Sequence, residues 1–219
     1  MKTFYKNRLP HLAPIGATFF VTFRLADSLP TNIIQKLSTE FEQKCQALKA
    51  QNIPNLPDRI REERKRYFGK FEHQLDTKIY GSCYLAHPEI ATIVADRMQQ
   101  YNGQLYQLHA YCIMPNHVHL LMDTMEQLKV SEDVYLEDAP LNYVQLNEIM
   151  RLIKGGSARL ANQALGREGA FWMKDSYDHY VRNEREWGNI IRYILNNPVN
   201  AGLVNDWQAW PFSYCNPAL

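Results

Sequence analysis

Met114-Pro115-Asn116-His117-Val118-His119-Leu120-Leu121-Met122 reads as a strand with two unlike faces. Residues i and i+2 of a strand point the same way. His117 and His119 therefore project together, while Val118 and Leu120 turn to the opposite side and into a core. Pro115-Asn116 separates this strand from a preceding run, Gln104 to Met114, so the two form a hairpin or a bulged continuation.

Further elements follow on both sides. Pro88 to Tyr101 has Ile90, Val94 and Met98 on one helical face and ends at Asn102-Gly103. Asn147 to Leu165 is helical in pattern, with a break or kink expected at Gly155-Gly156. Ala17 to Leu25 is aromatic and β-branched, as strands are, and follows the turn residues Pro14-Ile15-Gly16. Thr31 is the expected N-cap of a helix carrying Ile33, Ile34, Leu37, Phe41 and Leu48. Phe171 to Val181 is expected to be extended. Glu184 to Asn196 is a last helix, with Asn183 as N-cap and Pro198 just past its end. The order strand, helix, strand, strand, helix, then a further helix, predicts an α+β fold: a ferredoxin-like antiparallel sheet packed with helices.

Residues 1–219 are expected to form a single domain, with insertions near 53–80 and 123–145 and a C-terminal extension from 205. In the first insertion, residues 58–79 alternate in charge sign, which reads as a solvated helix or else as a nucleic-acid arm. Its acids, and those of 123–142, are expected to lie away from any site. Trp207, Trp210 and Phe212 of the extension are expected to pack over the body and favour a monomer.

Composition excludes several classes. Lys and Arg total 24 and Asp and Glu 23, for a net charge of +1, which excludes a uniformly basic coat protein but not a local basic groove. No apolar run is long enough to span a membrane, no signal peptide is visible, and a cytoplasmic location is expected. Cys45, Cys83, Cys112 and Cys215 are scattered, with no CxxC pair. Neither a P-loop nor a dinucleotide-binding glycine motif occurs.

Two local features carry chemistry. The His117/His119 pair is a divalent-metal half-site that needs a further ligand from elsewhere; the alternative is an exposed histidine pair with no ligand. In Tyr193-Ile194-Leu195-Asn196-Asn197-Pro198, Tyr193 and Asn197 are i and i+4 and share a helix face; the alternative is a tyrosine of the core or its rim. Tyr177 and Tyr180 are competing nucleophiles, in a stretch where Tyr177, His179 and Val181 share one face.

Taken in order, these segments resemble the single-tyrosine HUH transposases, and within them the REP-associated tyrosine transposases, relatives of the transposases of the smallest bacterial insertion sequences. Further matching segments are Arg8-Leu9-Pro10-His11, Thr18 to Arg24, Gly169-Ala170-Phe171-Trp172, Tyr177 to Arg182, Ala201-Gly202-Leu203-Val204 and Trp210-Pro211-Phe212-Ser213. The resemblance runs over roughly residues 8–214 and is weakest over 53–80 and 123–145. It implies that His117, His119 and Asn197 hold a divalent cation, Mg²⁺ or Mn²⁺, and that Tyr193 is the nucleophile. Asn197 stands where members often carry the longer Gln. It also implies a single-stranded DNA substrate folded as a REP-like hairpin, cleaved and rejoined through a 5′-phosphotyrosine, by a monomer or homodimer.

Lys154, Arg159, Arg167, Lys174 and Arg182 are candidates to track phosphates, and Trp172 to stack on a base. His179 is a candidate DNA contact, or the base that takes the Tyr193 proton, with water as the plainer alternative. Two other functions remain open: a domesticated, noncatalytic binder of DNA hairpins, and a metal-dependent hydrolase of a small substrate.

Overall fold

The computed structural model describes residues 4–6, 10–51, 53–131 and 134–219. Arg8 and Leu9 of the motif expected before the first core strand lie outside them. Two short strands, β1 (Phe4–Lys6) and β2 (Pro10–Leu12), pair with each other. Then come β3 (Thr18–Arg24), α1 (Thr31–Ala50), α2 (Leu56–Thr77), α3 (Pro88–Gln99), β4 (Gln107–Ile113) and β5 (His117–Asp123). The chain continues through a two-stranded ribbon, β6 (Lys129–Ser131) and β7 (Val134–Tyr135), to α4 (Leu146–Ala164), β8 (Tyr177–Tyr180), α5 (Glu184–Asn200) and β9 (Ser213–Cys215).

The main sheet has the order β8-β3-β5-β4-β9, with every neighbouring pair antiparallel. Without β9, this is the strand order of the ferredoxin-like fold, with α3 and α4 as its two crossover helices. The expected fold class is thus observed. The insertion, however, is larger than the sequence suggests. Both α1 and α2 stand between β3 and α3 as a helical hairpin.

Strand alternation sorts the core into two layers. Phe19, Val21, Phe23, Val118, Leu120 and Met122 face α3 and α4, meeting Ile90, Val94, Met98, Ile149 and Ile153. Phe20, Ala110, Cys112 and Leu121 face the other way, onto Ile194 of α5. His117 and His119 share the parity of Leu121, so they emerge on the α5 side. There they are 1% and 0% exposed, which overturns the picture of an exposed pair.

Three helix details differ from expectation. Thr31 is the first helical residue of α1 rather than its cap, and Pro30, at the N-cap position, offers no side-chain bond. The α4 helix runs unbroken through Gly155-Gly156. A Cβ on Gly156 would collide with Arg97 Nε, so glycine there admits the Arg97 side chain of α3, which donates to the Leu152 carbonyl at 3.2 Å. Pro198 lies inside α5 instead of beyond it. Proline removes one ladder hydrogen bond, but the Ala201 and Leu203 amides still close on Asn197 and Pro198, and Pro198 is buried.

Asn183 caps α5 as expected, its Oδ1 accepting from the Glu186 amide at 2.9 Å. Asn183→Ala is expected to cost about 1 kcal/mol, read as a lower midpoint in a denaturant titration with unchanged slope. The C-terminal segment packs over the body: Trp210 Nε1 donates to the Ile113 carbonyl at 3.0 Å, and β9 pairs with β4.

Candidate metal and tyrosine site

The site forms where β5, β3, α5 and α2 meet. His117 and His119 come from β5, and their Nε2 atoms lie 3.1 Å apart. Their other ring nitrogens are fixed from behind. The Asn116 amide donates to the Tyr80 carbonyl at 3.1 Å, which can only accept, so Asn116 Oδ1 faces His117 Nδ1 at 2.8 Å and takes its proton. On the second ring, His119 Nδ1 lies 2.9 Å from Thr22 Oγ1, whose hydroxyl donates to Glu72 Oε1 at 2.7 Å. The Thr22 oxygen is left as acceptor, so His119 also carries its proton on Nδ1. Both Nε2 lone pairs then point to one place, as in metal-ligating histidines with outer hydrogen-bond partners.

A carboxylate points there as well. Asp76 Oδ1 is 3.2 Å from His117 Nε2 and 3.4 Å from His119 Nε2. These three groups form the candidate metal-holding cluster among the described residues. Burial alone would raise the Asp76 carboxyl; with a proton on the facing imidazole nitrogens in place of a cation, hydrogen bonds and charge from His117 and His119 hold it well below the ordinary carboxylate range. Burial pushes His117 down to about 4. A carboxylate and imidazole lone pairs converging in a buried place need a positive partner, either a proton or a cation.

Tyr193 and Asn197 project together from α5, one turn apart, as their spacing predicts. The Tyr193 hydroxyl donates to Asp76 Oδ2 at 2.8 Å and lies 3.4 Å from His119 Nε2. Burial, then the charges of Glu72 and Asp76, push its pKa far above that of a free phenol. Asn197 is 1% exposed. Its Nδ2 lies 3.1 Å from His119 Nε2, and its buried Oδ1 has no hydrogen-bond partner. Exchanging the two amide atoms would turn that oxygen to the cluster as a ligand. The donor set of two imidazoles, a carboxylate and an orphaned amide oxygen suits a divalent cation of the Mg²⁺ or Mn²⁺ kind.

Glu72 and Asp76 are the residues that sequence reasoning missed. They stand i and i+4 on α2, in the alternating-charge stretch expected to be solvated and distant. That expectation is corrected here. The outer face of α2 is solvated, with pairs such as Arg61–Asp58, but Phe68 and Leu75 are buried and the acids beside them enter the site. The available signal was an acidic i, i+4 pair flanked by apolar residues on an otherwise charged helix. Burial raises the Glu72 pKa, against the opposing pull of His119.

The structure does not gather the candidate DNA contacts around this cluster. Trp172 is a core residue, its indole donating to Ser157 Oγ at 3.0 Å and packed 4.8 Å from the Phe23 ring. Arg167 stacks over Tyr84 at 4.9 Å and Arg182 over Tyr180 at 5.5 Å, while Arg159 and Lys174 are exposed. His179 is held by Glu186 Oε1 at 2.8 Å, so the Tyr193 proton faces Asp76 rather than His179. Tyr177 stacks on Phe68, with ring centres 3.8 Å apart, and Tyr180 packs on the opposite core layer.

Lys154 is tied inward. Its Nζ donates to the carbonyls of Met173 and Lys174 at 2.8 Å and to Ser176 Oγ at 3.0 Å. Burial lowers its pKa to about 8. The folded state therefore holds this proton less tightly than the unfolded chain, where lysine titrates near 10.4. The contribution of Lys154 to stability is thus expected to rise between about pH 8 and pH 10. Thermal melts of the wild type and Lys154→Met across that range should show the wild type gaining on the variant.

No family model matches the chain. Over 108 residues it is 31% identical to a Haemophilus influenzae protein that carries the provisional name REP-associated tyrosine transposase, a match covering 49% of this chain and 58% of the relative. A second, uncharacterised H. influenzae protein is 27% identical over 99 residues, 42% of this chain and 54% of its own length. The chain thus spans a little over half of the curated relatives it matches. A solved structure of a REP-associated tyrosine transposase bound to a REP hairpin aligns with 95% of this chain and 82% of its own, with a TM-score of 0.44 and 18% identity. Over about half its length, then, this chain is similar in sequence to a REP-associated tyrosine transposase.

Proposed function

We propose that this protein is a divalent-metal-dependent tyrosine strand transferase acting on single-stranded DNA folded as a REP-like hairpin. The observation that carries this reading is the placement of the Tyr193 hydroxyl beside Asp76 and His119, at the point where both Nε2 lone pairs converge. Similarity to a protein named as a REP-associated tyrosine transposase supports the DNA substrate. The residues that would hold the cation are His117, His119 and Asp76, with Asn197 as a fourth donor through its amide oxygen. When bound, that cation neutralises charge on the nonbridging phosphate oxygens.

Tyr193 supplies the nucleophile. Its oxygen attacks phosphorus, the bond from phosphorus to the 3′ oxygen breaks, and a 5′-phosphotyrosine and a free 3′-OH result. Asp76 Oδ2 accepts the hydrogen bond of the Tyr193 hydroxyl and aims its oxygen; the phenolic proton is released to water, and the departing 3′ oxygen takes one up. A 3′-OH attacking the phosphotyrosine reverses the step and rejoins strands without ATP.

The test is incubation of the full chain with 5′- and 3′-labelled hairpin oligonucleotides, including REP-type palindromes, and Mn²⁺. A denaturant-stable protein–DNA adduct carrying the 3′ fragment, lost with chelator, is the expected result. Hairpin binding with no adduct from any strand would point instead to a noncatalytic binder.

A further inference from the structure

The α1–α2 hairpin and the sheet border an open cavity of about 260 Å³, lined also by the segment that leads into β8. Aromatic side chains form its walls. Phe41 and Tyr67 stand 5.1 Å apart between ring centres, and Phe71 lies beside them. The cavity also adjoins the tyrosine site: Thr22 and Glu72 line it, and Thr22 Oγ1 is 2.9 Å from His119 Nδ1.

Arg24 gives this cavity its specific chemistry. The residue is only 6% exposed and lines the cavity. Its guanidinium lies 5.1 Å from the Phe71 ring centre and donates to Ser28 Oγ at 2.9 Å. Asp175, which also lines the cavity, acts on it electrostatically without a close ion pair among the described residues. A desolvated guanidinium facing a space calls for a planar acceptor edge, which it can grip in two places. The cavity is also lined by Asp175 and Glu42, carboxylates that accept hydrogen bonds from donors. A flat aromatic ligand with acceptors on one edge and N–H donors on another meets both demands. Among nucleobases, guanine presents O6 and N7 together with N–H donors.

We propose that this cavity is a base pocket that receives one unpaired guanine of the single-stranded DNA next to the phosphodiester offered to Tyr193. The inference rests on the DNA-processing function proposed above. Aromatic walls supply stacking that any base would share, and Arg24 selects the base. The pocket is built mostly by the inserted helices, so this insertion contributes substrate selection as well as Asp76.

The test is equilibrium binding, by fluorescence anisotropy without divalent metal, of thymine dodecamers containing no guanine, one guanine or one 7-deazaguanine. The single-guanine strand is expected to bind roughly tenfold tighter than the all-thymine strand. Replacing guanine by 7-deazaguanine removes the N7 acceptor without touching the protein and should abolish most of that preference. Arg24→Lys should lose the preference while keeping all-thymine binding, and the wall variant Phe41→Ala should weaken the binding of every strand. Equal affinity for all strands, or a preference that survives both 7-deazaguanine and Arg24→Lys, overturns the pocket. If Arg24→Lys fails to fold, the 7-deazaguanine strand decides the matter on the wild type. An adduct without guanine preference overturns the pocket and leaves the transferase standing. Guanine preference without any adduct supports the pocket and overturns the transferase. No binding to any of these strands overturns the pocket, and the transferase is then judged by the hairpin adduct alone.

Discussion

Tyr193→Phe is expected to abolish the covalent DNA adduct, with strand cleavage falling by at least about 10⁴-fold, in line with the removal of other enzyme nucleophiles. The substitution deletes one oxygen and keeps the ring. That ring packs edge-on against Phe20 at 5.9 Å and against His119 at 5.0 Å, contacts that phenylalanine retains. The stability cost should therefore stay near 1 kcal/mol, the price of one hydrogen bond to Asp76. Hairpin affinity should be nearly unchanged. Tyr177→Phe is the control: its ring is stacked on Phe68, no hydrogen bond joins its hydroxyl to the histidine pair among the described residues, and its adduct yield should match the wild type. An adduct that persists in Tyr193→Phe and disappears in Tyr177→Phe would transfer the role to Tyr177.

The second large effect is expected from Asp76→Asn. Removing a group that merely supports a metal ligand typically weakens metal binding 10- to 100-fold. A carboxylate positioned to touch the cation should cost about 100-fold or more in Mn²⁺ affinity, measured by calorimetry on the DNA-free protein. Asn197→Ala should cost less, because a neutral amide contributes no charge. Equal Mn²⁺ affinity in wild type and Asp76→Asn would remove Asp76 from the ligand set and return the third position to Asn197. A pH signature accompanies the metal result. The folded state holds the Asp76 carboxyl below its ordinary value near 4, so its contribution to stability is present above that value and is lost as the pH falls through it and lower. Asp76→Asn should flatten this part of the metal-free acid-denaturation profile.

The near-neutral charge of the chain conceals how the acids are used. Glu72 and Asp76 belong to a helix whose other charges form surface pairs, such as Arg59–Glu62 and Lys70–Glu40. In sequence, an acid that pairs with a neighbouring cation and an acid that enters a metal site look alike. Helical periodicity marks which face is apolar, but not which partner that face will meet. For the same reason Lys154 and Trp172 read as candidate DNA contacts, although carbonyls of the β8 approach tie Lys154 down and Trp172 is buried with its indole on the Ser157 hydroxyl.

What the sequence determined by itself is local. The period of two on β5 places His117 and His119 on one face, and the spacing of four on α5 does the same for Tyr193 and Asn197. Segment order supplied the ferredoxin-like core, because each crossover and hairpin has few ways to close. The tertiary structure decided what enters the site from a distance. Asp76 meets His119 across 43 residues, because the α1–α2 hairpin buries Phe68 and Leu75 and thereby turns two acids inward. That contact depends on how an inserted hairpin docks on the sheet, which is set by packing between distant surfaces and leaves no fixed spacing in the chain.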